Sequence, residues 1–133
     1  MKALGINQVF TTDVNDLARL DYINSSAAIV AKKIGVDIPI FHTFEELKDF
    51  GINYLPNTRV QDLTNNSIKF DCVYSSDTLE HIEIVELNSI HNKLKNVLSF
   101  NGIVIHLIDV SDHYARVDNS ITRFNFLIYS DDE

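Results

Sequence analysis

The chain has 133 residues, of which 45% are hydrophobic and 23% charged, and its 11 basic and 19 acidic residues give a formal net charge of −8. This length supports one domain, and the negative charge repels a phosphate backbone, so nucleic acid is excluded as the default partner. With a single cysteine, no signal-peptide pattern and no apolar run of bilayer length, we expect a cytoplasmic protein without disulfides or a membrane partner.

The first part of the chain combines a strand pattern with a helix pattern. Residues 8–12 (QVFTT) predict a short strand that ends in an acidic turn containing Asp13 and Asp16. Apolar residues at spacings of three and four then predict a helix over residues 17–34. Gly35 follows the last apolar position, which is typical of a helix C-cap.

A second short helix and a second strand follow. Thr43 with Glu46 is a capping-box pattern and predicts a helix over residues 44–50. Residues 52–55 predict a short strand. Polar residues that are typical of loops follow at positions 57–59 and 64–67.

The most informative segment is residues 70–82, FDCVYSSDTLEHI. Its apolar first part lacks polar alternation and predicts a strand over residues 70–74 that is covered on both faces. Small polar residues then end the strand. The pair Asp77 and Glu80 reads as a capping box that opens a helix over residues 78–98.

The remaining pattern completes an alternation of strands and helices. We expect Cys72 to be a small core residue of its strand. A further strand is predicted over residues 103–108, and residues 109–133 are polar with one apolar cluster. This order predicts an α/β fold with a mostly parallel sheet. The four glycines are isolated, so none forms the G-x-G-x-x-G loop of a dinucleotide site.

Residues 70–82 resemble the fourth-strand region of class I S-adenosylmethionine-dependent methyltransferases, whose members often read FDxVxSxxxLEHI there. Residues 94–106, with LKNVL, NG and IVIH, resemble the helix exit and fifth strand of that family. The likeness spans residues 60–114 and continues more weakly back to residue 8. It implies S-adenosylmethionine as cofactor and a small-molecule methyl acceptor.

The resemblance also implies a Rossmann-like three-layer sandwich. In the family, a first strand with its glycine loop precedes the position that residues 8–13 resemble. We therefore expect residues 1–133 to form a single partial domain that lacks the first strand and the C-terminal edge strands.

The resemblance assigns four residues to the cofactor. Asp13 matches the acidic residue that accepts both ribose hydroxyls, although Asp16 could equally match, and a turn Asp is the alternative. Asp62 matches the residue that contacts the adenine amino group; the alternative is a solvated loop residue. Ser75 and Ser76 would face the cofactor cleft, with helix capping as the competing explanation.

The residues expected near the methyl acceptor come from one loop. Residues 106–114 resemble an HxxDxxDHY-type loop that borders the acceptor in a subset of these enzymes. Asp112 or His113 would then orient or deprotonate the attacking oxygen or nitrogen. We expect His81 and Asp109 on the substrate side; for His81, a structural or solvated role is the alternative.

Two other functions stay open. Residues His106, Asp109, Asp112 and His113 could form a metal-dependent hydrolase site, but strand alternation sends the first two to opposite faces, so we expect no metal. A truncated or degenerate, non-catalytic protein of the same fold, acting as an interaction module, is favoured by the lack of a glycine loop. The oligomeric state is not determined by the sequence.

Overall fold

The structure, a computed structural model, describes residues 5–63 and 68–129. The chain forms two compact units, Met1–Thr64 (unit 1) and Asn65–Glu133 (unit 2). The described residues form three α-helices and two parallel two-stranded sheets. The prediction of an α/β fold with parallel strand pairing is therefore confirmed, whereas the single partial domain over residues 1–133 stays a prediction.

Unit 1 contains one parallel strand pair. Strand β1 (Val9–Thr12) pairs with β2 (Ile52–Leu55), so that Val9 lies beside Ile52. Helices α1 (Leu20–Ile34) and α2 (Phe44–Asp49) connect the two strands. Both strands predicted in this part of the chain are confirmed. The predicted loop at residues 64–67 lies outside the described residues.

Helix α1 begins at Leu20, three residues later than predicted. The backbone amides of Leu17 and Ala18 donate hydrogen bonds of 3.1 and 3.2 Å to the hydroxyl of Tyr54, and this contact holds the preceding residues as a loop. The predicted C-cap is confirmed, because Gly35 adopts the left-handed conformation with φ 70°.

The capping box of α2 is also present. The hydroxyl of Thr43 accepts a hydrogen bond of 3.2 Å from the Glu46 amide. The Glu46 carboxylate in turn accepts one of 2.7 Å from the amide of His42, one residue earlier than the usual partner. The core of unit 1 lies beside this helix and contains the buried residues Phe41 and Leu47.

Unit 2 is a strand–helix–strand crossover. Strand β3 (Phe70–Ser76) leads through a 3₁₀ turn (Leu79–His81) into helix α3 (Ile84–Val97), which passes directly into strand β4 (Leu98–Leu107). Strands β3 and β4 pair in parallel. The core consists of apolar residues of the turn and the helix, which are Leu79, Ile90, Leu94 and Val97.

The predicted start of this helix is wrong. Asp77 adopts a left-handed conformation with φ 49° and does not cap a helix, and α3 begins only at Ile84. The carboxylate of Glu80 accepts a hydrogen bond from the backbone of Asp109 in place of a capping contact. This tertiary hydrogen bond explains why the local capping pattern failed. Strand β3 also continues to Ser76, two residues beyond the prediction.

The expected burial of β3 on both faces is wrong as well. Cys72 is exposed and is not a core residue. Within the described residues, the sheet of unit 2 has two strands, and no residue of β3 is fully buried. In the middle of the strand, Val73 and Ser75 are half-buried, whereas Cys72 and Tyr74 are exposed.

Strand β4 begins at Leu98 rather than at residue 103, so Gly102 lies inside the strand. The register is irregular there: Phe70 pairs with Leu98, whereas Cys72 pairs with Ile103. A side chain at Gly102 would place its Cβ 2.8 Å from the carbonyl oxygen of Phe70, and that oxygen belongs to the backbone of the neighbouring strand. Glycine thus permits the close approach at this bulge.

We expect Gly102→Ala to destabilise the protein by about 1–3 kcal/mol, because the two backbones must separate to admit the methyl group. Urea unfolding followed by circular dichroism measures the change. Asn101→Ala is the matched control, since it alters the exposed neighbouring residue without adding a Cβ. Equal unfolding midpoints for Gly102→Ala and the control would contradict the close approach.

Within residues 5–63 and 68–129, no helix combines the length and the apolar character needed to span a bilayer.

Candidate functional site

The carboxyl ends of β3 and β4 meet at one edge of the unit 2 sheet. Because the two strands run parallel, the residues that follow them emerge side by side. The amide of Asp77 donates to the carbonyl of Leu107 at 2.9 Å and extends the strand pairing by one hydrogen bond. Five of the eight residues predicted for the site lie beyond this edge or at the last strand position: Ser76, His81, Asp109, Asp112 and His113.

Asp109 is the centre of a network at this edge. Its Oδ1 accepts a hydrogen bond of 2.9 Å from the amide of Ser111, and its Oδ2 lies 2.6 Å from Arg116 Nη2 and 3.4 Å from His113 Nε2. Hydrogen bonds from Ser111 are the largest cause that lowers the pKa of Asp109 to about 2, with smaller contributions from His113 and Arg116. Asp109 is therefore ionised at neutral pH.

Glu80 connects the two loops that form the network. Its Oε1 accepts a hydrogen bond of 3.2 Å from the amide of Asp109, so the turn after β3 is tied to the loop after β4. Its Oε2 is buried and has no hydrogen-bond partner in the described part of the chain. The predicted site residues His81, Asp109 and His113 are brought together here, since the rings of His81 and His113 lie 5.5 Å apart between centroids.

Asp112 has a different role from its neighbours. Its Oδ1 accepts a hydrogen bond of 2.9 Å from the amide of Tyr114, and it is the N-cap of the 3₁₀ turn His113–Arg116. Its own amide donates to the carbonyl of Arg123 at 2.7 Å. The side chain thus stabilises the turn that presents His113, and a chemical role for Asp112 stays a prediction.

The two predicted serines use their hydroxyls within unit 2. The hydroxyl of Ser75 lies 2.7 Å from Nδ1 of His106, its register partner on β4. Burial lowers the pKa of His106, and the nearby His91 lowers it further, so the imidazole is neutral at neutral pH. The hydroxyl of Ser76 donates to the carboxylate of Asp77 at 2.7 Å. Contacts of Ser75 or Ser76 with a cofactor stay predictions.

The four residues of the metal hypothesis do not converge. His106 is paired with Ser75, and Asp112 caps a turn, so only Asp109 and His113 meet. In the part of the chain that the structure describes, no group of three or more His, Cys, Asp or Glu side chains is placed to hold a metal ion.

In unit 1, Asp13 lies at the carboxyl end of β1 and borders a hollow of about 370 Å³. Its Oδ1 accepts a hydrogen bond of 2.9 Å from the amide of Asn15, as in an Asx turn, and its carbonyl accepts one of 2.8 Å from Thr58. The hollow has mostly apolar walls together with the Tyr54 ring, and its remaining lining residues are Thr11, Leu17, Ala18, Ile23, Leu47 and Ile52.

Asp62, the other predicted cofactor residue of unit 1, is held by a neighbour. Its carboxylate lies 2.7 and 3.4 Å from two nitrogens of Arg59, three residues earlier, and both side chains are more than half exposed. This ion pair joins the N-cap residue of the 3₁₀ turn Val60–Asp62 to the last residue of the turn. A contact of Asp62 with adenine stays a prediction.

Sequence reasoning missed two members of the network. Glu80 was read as a helix cap, although its position beside His81 in the LEH segment marks it as a residue of the same edge. Arg116 carries no sequence signal of its own, because it reaches Asp109 only through the turn that follows β4. Tyr54 was likewise not identified, since its hydroxyl contacts residues that are 36 to 39 positions away.

We expect part of the protein's stability to depend on ionised Asp109. Its pKa is depressed to about 2 from an unfolded value of about 3.9, so this contribution is complete above pH 4 and is lost as the pH falls towards 2. Asp109→Asn should therefore flatten the decline of the unfolding midpoint between about pH 4 and 2. Asp49→Asn, which removes an exposed carboxylate of unit 1, should leave the decline as it is in the wild type. Parallel curves for wild type and Asp109→Asn would contradict the assignment.

Comparison of the chain with protein-family models, with curated proteins and with solved structures found no match. The family hypothesis therefore depends on the residue pattern of the 70–82 segment together with the geometry described above.

Proposed function

We propose that this chain is a methyltransferase-fold protein that uses S-adenosylmethionine and transfers its methyl group to a small-molecule acceptor in the cytoplasm, without a nucleic-acid or membrane partner. The observation that carries the proposal is the network at the carboxyl edge of β3 and β4. There the FDCVYSSDTLEHI segment ends beside an ionised carboxylate and two imidazoles.

The proposal includes a Rossmann-like three-layer sandwich. In the doubly wound strand order 3-2-1-4-5, the second strand lies beside the third and the fourth beside the fifth, all parallel. Strands β1 and β2 resemble the second and third, and β3 and β4 resemble the fourth and fifth. The parallel pairs β1–β2 and β3–β4 support the proposal because they are the neighbours that this order requires.

The hollow beside Asp13 fits the nucleoside part of the cofactor. Its volume of about 370 Å³ lies within the range of small-ligand sites, and its apolar walls suit a purine ring. The Asp13 carboxylate is an acceptor that can bind two hydroxyl donors at once, which is what a ribose presents. The other carboxylate of the hypothesis, Asp62, is already paired with Arg59, so we assign the main polar contact to Asp13.

When bound, S-adenosylmethionine supplies a methyl group on a sulfonium, whose leaving group is already activated. The protein's task is then to orient the acceptor and to take its proton. His113 is the proposed base: Asp109, 3.4 Å from Nε2, favours the tautomer that carries the proton on Nε2 and leaves Nδ1 able to accept one. Arg116 and Glu80 hold Asp109 in place from its side chain and its backbone.

Binding of S-adenosylhomocysteine tests the proposal. Isothermal titration of the purified chain should show saturable binding at one site. Asp13→Asn should weaken this binding about tenfold or more, because it replaces charge-assisted hydrogen bonds by neutral ones. Asp49→Asn serves as control and should bind as the wild type does, since this carboxylate lies outside the hollow.

The second candidate is a non-catalytic protein of the same fold that acts as an interaction module. Two facts favour it: the 133 residues contain no glycine-rich loop, and the hydroxyls of Ser75 and Ser76 are both engaged within the chain. Titration without measurable heat at millimolar S-adenosylhomocysteine, from a folded chain, would contradict the enzyme and support this candidate.

A further inference from the structure

The hydroxyl of Tyr54 makes three hydrogen bonds to the backbone of one loop. It accepts hydrogen bonds of 3.1 and 3.2 Å from the amides of Leu17 and Ala18, and it donates one of 3.3 Å to the carbonyl of Asn15. A phenol can act as donor and acceptor at once, and this one does both. The three bonds connect strand β2 to the loop that joins β1 to α1.

The ring of Tyr54 is fixed by its strand and by helix α2. The register of the sheet pairs Tyr54 with Thr11 of β1, so the two side chains lie on the same face. The ring stacks on that of Phe44, with 5.4 Å between centroids and 29° between planes. Aromatic packing of this kind restricts the ring. The hydroxyl therefore reaches the loop from a defined position.

A chain of hydrogen bonds leads from this hydroxyl to the carboxylate of Asp13. The carbonyl of Asn15 accepts the hydroxyl proton, and the amide of Asn15 donates to Asp13 Oδ1 at 2.9 Å. Asn15 is thus held on both sides of its Cα. The Asn15 amide takes one of the roughly four lone-pair sites of a carboxylate, so the donors of a ligand can use others.

The backbone of Asp13 is fixed separately from its side chain. The amide of Asp13 donates to the carbonyl of Leu55 at 3.1 Å, and its carbonyl accepts a hydrogen bond of 2.8 Å from the amide of Thr58. These bonds place the Cα of Asp13 at the end of β1, whereas the Asn15 amide sets the direction of the carboxylate. A change that frees Asn15 would therefore turn the carboxylate and leave the strand pairing intact.

We infer that Tyr54 is a positioning residue for nucleoside binding: through Asn15, it orients the carboxylate of Asp13 towards the two ribose hydroxyls. The inference rests on the proposed function, because it takes the hollow beside Asp13 as the nucleoside site. Asp13 and Tyr54 both line this hollow. A preorganised acceptor costs a ligand less binding free energy than one that must be ordered on binding.

Tyr54→Phe tests the inference, because it removes the hydroxyl and keeps the ring. The probes are adenosine and dideoxyadenosine, which lacks both hydroxyls of the ribose ring, and NMR titration of the labelled protein measures their dissociation constants. We expect the variant to bind adenosine about tenfold more weakly than the wild type. Its affinity for dideoxyadenosine should stay within about twofold of the wild-type value, because that ligand offers Asp13 no ribose donor.

Two further variants make the result specific. Tyr22→Phe removes the hydroxyl of a tyrosine of α1 that is 64% exposed, and it should bind both probes as the wild type does. In the Asp13→Asn background, Tyr54→Phe should weaken adenosine binding by less than about twofold more, since the group that Tyr54 orients has already been replaced. Circular dichroism establishes that each variant is folded.

The possible results separate the two proposals. A wild-type chain that binds neither adenosine nor S-adenosylhomocysteine contradicts the proposed function and, with it, the role of Tyr54. If the wild type binds both and a folded Tyr54→Phe binds adenosine equally well, the inference alone is overturned. It is also overturned if the variant loses equal affinity for both probes, because Tyr54 would then only support the wall of the hollow.

Asn15→Pro supplies a second test if Tyr54→Phe does not fold. Proline has no amide proton, so the bond to Asp13 Oδ1 is lost while Tyr54 stays unchanged. This variant should show the same selective loss of about tenfold in adenosine affinity. A folded Asn15→Pro with the adenosine affinity of the wild type would overturn the inference.

Discussion

Unit 2 depends on the parallel pairing of β3 with β4. A parallel pair needs a crossover, and helix α3 supplies it, so the chain returns to the same end of the sheet before β4 begins. The consequence is that the segments after both strands start from one edge. The 3.2 Å hydrogen bond between Glu80 and the backbone of Asp109 follows from that geometry.

At this edge the carboxylate of Asp109 accepts hydrogen bonds from several neighbouring groups. Asp109 receives hydrogen bonds from its own loop and an ion pair from Arg116, and its low pKa keeps it ionised. An ionised Asp109, 3.4 Å from Nε2 of His113, favours the tautomer that carries a proton on that nitrogen. Within the described residues, the buried Oε2 of Glu80 has no hydrogen-bond partner.

The register of the same sheet also sets the exposure of its side chains. Because side chains alternate along a strand, Ser75 lies on the half-buried side of the sheet and Tyr74 on its exposed side. The carboxyl edge, by contrast, carries the polar and charged groups of the candidate site.

Much of the local structure could be predicted from the sequence. Strand β1, helix α2 with its Thr43 cap, strand β2 and the glycine end of α1 were all placed from residue patterns, because their determinants are near neighbours in the chain. The convergence of His81, Asp109 and His113 was also expected, but from the family resemblance. The physical basis of this convergence is that the parallel strands β3 and β4 end at one edge of the sheet. That arrangement follows from the pairing register, which the sequence does not give.

Both errors arise because a local sequence pattern carries no information about contacts with distant segments of the chain. Glu80 looked like a helix cap because Asp77 precedes it by three residues, yet a hydrogen bond to a residue 29 positions away outweighs the local pattern. Cys72 looked buried because its strand is apolar, yet burial depends on what covers the strand. The sequence alone determined which segments are helical or extended in their central parts, since that depends mainly on neighbouring side chains. Tertiary structure alone decided the register bulge at Gly102 and the hydrogen bond between Glu80 and the Asp109 amide, because both depend on contacts between segments that are distant in the chain.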